Sequence, residues 1–68
     1  MKDIGSRIKK VRVINKFTQR EFSKSICISQ PHLSEIENNK EKPSKAVIRL
    51  ISILFKVSEE WLINGSEK

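Results

Sequence analysis

Apolar residues recur along this chain in short groups at helical spacing, divided by polar turns. Ile4, Ile8 and Val11 fall on one face of a helix. Asp3 suits the N-cap, and Asn15 tolerates the left-handed conformation that ends a helix, so a first helix is predicted over Ile4–Ile14. Arg7, Lys9, Lys10 and Arg12 leave the rest of that helix basic. Thr18 and Glu21 have the spacing of a capping box, which starts a second helix at Gln19. Phe17, just outside it, staples the chain entering that helix. Phe22 and Ile26 face inward, and the period then breaks across Ser25–Ile28. Ser29 caps a third helix with Pro31 in its first turn, where the missing N–H is not needed. Leu33 and Ile36 form its narrow apolar side, and Asn38-Asn39-Lys40 ends it with residues that tolerate positive φ. Ser44 caps a fourth helix over Lys45–Phe55. Ser58 caps a fifth over Glu59–Ile63, with Glu59 and Glu60 at its positive end and Asn64-Gly65 as its stop. The pattern predicts an all-α, five-helix domain over residues 1–66, with 67–68 as a frayed tail and no strand, repeat or linker.

The fourth helix is too apolar for one-sided packing. Val47, Ile48, Ile51, Leu54 and Phe55 form its predicted core face, and Ala46, Leu50 and Ile53 widen the arc to roughly 220° at about 100° per residue. Either the fifth helix, with Trp61 and Leu62, covers the excess, or Leu50 and Ile53 belong to a subunit interface.

Composition narrows the function. A chain of 68 residues makes one small domain in which every core position matters. One Cys excludes an internal disulfide, and with a single His the chain lacks the ligands of a structural zinc site. No membrane span, signal peptide, cofactor or small-molecule ligand is expected, and a cytoplasmic location is the default. The net charge is +6. Lys2, Arg7, Lys9, Lys10, Arg12, Lys16, Arg20 and Lys24 crowd the first third, against Asp3 and Glu21 alone. Such an excess favours a polyanionic partner, most often nucleic acid, although a solvated basic face has the same composition.

Three segments together resemble the Cro/phage-repressor type of helix-turn-helix domain, also called the xenobiotic-response-element type. They are Ile4-Gly5-Ser6-Arg7-Ile8-Lys9-Lys10-Val11-Arg12; Thr18-Gln19 through Ser34-Glu35-Ile36-Glu37-Asn38; and Pro43-Ser44 followed by Val57-Ser58-Glu59-Glu60-Trp61-Leu62-Ile63-Asn64-Gly65. Phe22, Ile26, Ile28, Leu33 and Ile36 match the apolar spacing of the two-helix unit. The resemblance implies a lambda-repressor-like fold whose third helix is a recognition helix. It implies sequence-specific binding of duplex DNA by a transcriptional repressor, as a homodimer on a palindromic operator. The sequence departs from the family at Cys27 and at Asn15-Lys16, where glycine is common, and mildly at Ser23. A left-handed Cys27 costs on the order of 1 kcal/mol.

A recognition helix reads base edges in the major groove through the solvent face near its N-terminus. By the family's pattern Gln30, Pro31, His32 and Glu35 are the base-reading candidates. Gln30 can pair with adenine N6 and N7, His32 can donate to a purine N7 or guanine O6, Glu35 can accept from cytosine N4, and Pro31 can touch a thymine methyl. Phosphate contacts would fix the register. The family's matching glutamine gives Gln19 that role, and Ser29, Asn38, Lys40 and Lys42, with Thr18 and Ser34 as weaker candidates, flank the same helix. Arg12 and Glu37 match a structural salt bridge of phage-repressor relatives. A different reading keeps the fold but makes it an antitoxin-like or anti-repressor protein-binding module that docks through the fourth helix. An enzyme has little support: Cys27 falls in a turn with no acid or base placed beside it, and no phosphate-cradling glycine loop exists.

Overall fold

The structure is a computed structural model and describes residues 3–65. It has five helices in order: α1 Ile4–Ile14, α2 Gln19–Ser25, α3 Gln30–Glu37, α4 Lys45–Phe55 and α5 Glu59–Asn64. The tail expected at 67–68 lies outside the described residues. No described helix is long and apolar enough to cross a membrane.

Each helix opens on the cap that the sequence predicts. The side chains of Asp3, Thr18, Ser29, Ser44 and Ser58 accept backbone N–H groups of the first turns they precede. At α2 the capping box is complete: Thr18 accepts from the Glu21 N–H at 3.1 Å and the Glu21 carboxylate accepts from the Thr18 N–H at 2.9 Å.

The helix ends correct the sequence reading. Asn15 is not left-handed. Lys16 takes that conformation, with φ 62°, while the Asn15 amide donates to the Val11 carbonyl at 2.7 Å. The same closure recurs at α1, α2 and α3. At each end the left-handed residue donates to the carbonyl three residues back, and the next residue donates to the carbonyl five back. Lys16 bonds Val13 and Phe17 bonds Arg12; Cys27 bonds Lys24 and Ile28 bonds Ser23; Asn39 bonds Ile36 and Lys40 bonds Glu35. Cys27 has the positive φ expected of its turn, 64°. Lys56, after α4, is a further left-handed residue, and α5 runs one residue further than predicted, to Asn64.

The core gathers Ile8, Val11, Phe22, Ile26, Leu33, Ile36, Val47, Ile48, Ile51 and Leu62. Phe17 packs edge-on against Phe22 with centroids 6.2 Å apart, which is the predicted staple, and Phe22 stacks on Phe55 at 4.9 Å. Phe55 turns toward these rings. Leu54, predicted as core, is instead 48% exposed: Phe55 takes the inward side of the last turn of α4. Trp61 and Leu62 pack against the core and cover part of the α4 excess. Leu50 is half-buried against the core, whereas Ile53 is 65% exposed.

Arg7 does not belong to a solvated basic face. It is buried, and its guanidinium donates to the Leu62 carbonyl at 2.8 Å and the Ile63 carbonyl at 2.9 Å. A cation there meets the negative end of α5 and fastens it to α1.

Candidate nucleic-acid interface

The stretch Thr18–Asn38 folds into two short helices held at a fixed angle by one carboxylate. Glu37, with its side chain 3% exposed, accepts Arg12 Nε at 2.7 Å and Arg12 Nη2 at 3.1 Å. The same carboxylate accepts the Gln19 amide at 3.0 Å. Arg12 Nη1 reaches the Phe17 carbonyl at 3.0 Å. One buried anion therefore joins α1, α2 and α3, and its bidentate arginine partner fixes direction as well as distance. The predicted Arg12–Glu37 pair is present. Gln19, expected on a phosphate, spends one amide hydrogen inside this network. Its carbonyl and remaining N–H are free of these bonds, and the residue is half-exposed at the first turn of α2.

Phe22, Ile26, Leu33 and Ile36 fill the space between α2 and α3, so the opposite side of α3 faces outward. That side presents the predicted reading edge. Gln30, Pro31 and Glu35 are exposed and His32 is half-buried. Ser29 Oγ accepts the His32 N–H at 3.2 Å. His32 Nδ1 lies 4.0 Å from a Glu35 carboxylate oxygen, a spacing that gives the ring and the carboxylate one shared surface. A helix whose first turn is polar and outward, and whose other face is locked into the core, offers hydrogen-bonding groups at defined positions.

The predicted phosphate-contact residues fall at the helix starts, along α3 and beyond its end. Thr18 and Ser29 are exposed at the helix starts, and Asn38, Lys40 and Lys42 are exposed beyond the end of α3. Ser34 is half-buried, and its carbonyl accepts the Asn38 amide at 2.9 Å. Lys40 and Lys42 carry the positive charge of this margin.

Two residues given no part in the interface by the sequence complete the frame. Asn39 Oδ1 accepts the Gly5 N–H at 3.3 Å. Gly5 lies so close to the end of α3 that a Cβ there would stand 2.3 Å from the Ile36 carbonyl oxygen. The Asp3 carboxyl is held below its ordinary value, first by the Ser6 side chain and backbone N–H and then by the Asn39 amide. These residues bring the start of α1 against the exit of α3.

Known proteins share this arrangement. The P22 c2 repressor in complex with a synthetic operator superposes with a TM-score of 0.88 at 23% identity, over 97% of this chain and 100% of that one. SinR, a master regulator for biofilm formation crystallised in complex with DNA, superposes with a TM-score of 0.78 at 30% identity, over 87% of this chain and 95% of that one. The N-terminal DNA-binding domain of SinR from Bacillus subtilis gives the same score and identity, a TM-score of 0.78 and 30%. PlcR of Bacillus thuringiensis, in complex with the peptide PapR7 and DNA, gives a TM-score of 0.78 at 29% identity; the match covers 91% of this chain and 22% of PlcR. A family model described as a helix-turn-helix domain matches residues 5–68. With that match, and with the paired helices Gln19–Ser25 and Gln30–Glu37 at its centre, the chain belongs to the helix-turn-helix domain family, of the Cro and phage-repressor type.

Proposed function

We propose that this protein is a transcriptional repressor that binds duplex DNA sequence-specifically, as a homodimer on a palindromic operator in the cytoplasm. The observation that carries the reading is the outward edge of α3, Gln30, His32 and Glu35 with the apolar Pro31 beside them, on a helix whose other face is fixed by the core and by Glu37. Gln30 reads adenine, His32 a purine, Glu35 the amino group of cytosine, and Pro31 a thymine methyl. Gln19, Ser29, Asn38, Lys40 and Lys42, with Thr18 and Ser34, contact phosphates and set the register. The SinR and P22 c2 structures hold DNA on the same fold, which supports this use of the surface. The protein acts by binding and not by catalysis.

Dimerisation rests on Ile53, which stands out from α4, and on the exposed flank of Leu50. Two recognition helices then lie about 34 Å apart, one turn of DNA, and the operator carries the same symmetry.

Selection of bound sequences from a random duplex pool tests the whole reading. The expected result is a palindrome with half-sites one turn apart. Gln30→Ala and His32→Ala each weaken binding to that palindrome and leave random-sequence binding nearly unchanged. Equal losses on both duplexes contradict direct readout. Sedimentation showing a monomer both free and on DNA contradicts the dimer.

A further inference from the structure

We propose that Asn39 is a positioning residue for the phosphate-contacting margin of the interface, acting through the start of α1. The inference rests on the DNA-binding reading above and assigns a residue that makes none of its predicted contacts.

At the exit of α3 the backbone donors are already used. The N–H groups of Asn39, Lys40 and Glu41 bond inward to the carbonyls of Ile36, Glu35 and Glu35, at 3.0, 2.9 and 3.3 Å. What this turn can offer a polyanion is therefore side chains, Asn38, Lys40 and Lys42, and their position follows that of the turn. Glu37 fixes the last turn of α3 but lies before this segment in the chain.

Asn39 adds an attachment to a second helix, α1. Its φ of 62° is a conformation that glycine adopts with less strain. An asparagine tolerates it and adds an amide that glycine lacks. That amide reaches 34 residues back along the chain. Its Oδ1 accepts the Gly5 N–H, one of the first-turn donors of α1 that have no partner within the helix. Asp3 takes the neighbouring donor, Ser6 N–H, at 3.0 Å, and the Asn39 amide also acts on the Asp3 carboxyl. Two side chains thus cap α1, one local and one from the exit of α3. The bare Cα of Gly5 lets the two ends meet, since a Cβ would also fall 2.6 Å from Asn39 Oδ1. The start of α1 becomes a fixed post to which the Asn38–Lys42 turn is tied.

A residue that only capped α1 would affect stability alone. A positioning residue also changes what its neighbours do on DNA, and Asn39→Gly separates the two. Glycine keeps the left-handed turn, the strain it relieves offsets the lost bond to Gly5, and Asp3 still caps α1, so the denaturation midpoint stays nearly level. Affinity for random-sequence duplex falls roughly three- to tenfold as the phosphate contacts of Lys40 and Lys42 loosen. Affinity for the selected palindrome falls by the same factor, because phosphate contacts carry no sequence information. Lys40→Ala in both backgrounds completes a double-mutant cycle. Its loss in affinity is smaller in the Asn39→Gly background, where the turn no longer holds Lys40 in register. Wild-type affinity in Asn39→Gly, or an equal Lys40→Ala loss in both backgrounds, overturns the inference and leaves the DNA-binding reading standing. A wild-type chain that binds no duplex at low salt overturns both.

Discussion

Gly5→Ala reverses a general expectation. Replacing glycine by alanine within a helix ordinarily stabilises it by up to about 1 kcal/mol. Here the new Cβ would stand 2.3 Å from the Ile36 carbonyl oxygen and 2.6 Å from Asn39 Oδ1. The Asn39 amide can swing aside, but the carbonyl is backbone and belongs to the hydrogen-bonded end of α3. Relief requires α1 to retreat from α3 by about 1 Å to reach ordinary van der Waals separation. The retreat opens the core that Ile8 and Val11 share with Leu33 and Ile36 and draws Arg12 away from Glu37. Overpacking of this kind costs about 1–3 kcal/mol, and losing the Asn39–Gly5 bond adds about 1 kcal/mol. Against the helix-propensity gain the net loss is about 1–3 kcal/mol, or roughly 4–20 °C in melting temperature for a domain of this size. Urea unfolding followed by far-ultraviolet circular dichroism measures it, with an unchanged m-value showing that the unfolding reaction is the same. A Gly5→Ala protein at least as stable as the parent refutes the close α1–α3 approach.

Three other substitutions test separate parts of the frame. Glu37→Ala leaves the nearly buried Arg12 without a counter-charge and should cost about 3–5 kcal/mol, whereas the apolar pair Arg12→Met with Glu37→Leu should cost much less than the two single changes together; additive losses in urea titrations contradict the coupling. Cys27→Gly removes a left-handed strain and should raise stability by about 1 kcal/mol in thermal unfolding, and an unchanged midpoint shows that the turn carries none. The Asp3 carboxyl is lowered in the folded protein from an ordinary value of 3.8, so its contribution is present above that value and is lost as the pH falls through the lower folded one. Asp3→Asn keeps an N-cap but cannot titrate, so the stability gap between parent and variant should close on acidification from about pH 6 to about pH 2; a constant gap excludes the linkage.

The helices were legible because their determinants are local. Caps at Asp3, Thr18, Ser29, Ser44 and Ser58 act within one turn of the chain, and the 3.6-residue period of Leu33 and Ile36 fixes which side of α3 turns outward. The features that escaped are contacts between distant segments. Arg7 falls on the same face as Ile4, Ile8 and Val11, and that placement is itself a signal: a cation within an apolar stripe needs buried acceptors, which it finds in the carbonyls of Leu62 and Ile63. Asn39 reads as a helix stop, and only its approach to Gly5 reveals a second role. Leu54 misled because periodicity describes one helix, whereas burial depends on what packs against it, and at this turn the aromatic rings of Phe17 and Phe22 meet Phe55. The outward placement of Gln30, His32 and Glu35 was visible because apolar positions claim the other face of α3.

Lys16, Cys27, Asn39 and Lys56 each occupy the left-handed region that glycine enters freely. Together they withhold stability on the order of a few kcal/mol, a sizeable share for a small domain. None of them lies in the core, and at Lys16, Cys27 and Lys56 the withheld amount can be restored one helix end at a time without repacking. This has an evolutionary consequence. A lineage that places glycine at Lys16 or Cys27 acquires tolerance for destabilising changes elsewhere, including on the outward edge of α3, where new side chains would create new preferences. The helix ends are thus a store of mutational freedom, and drawing on it requires only single substitutions at exposed positions.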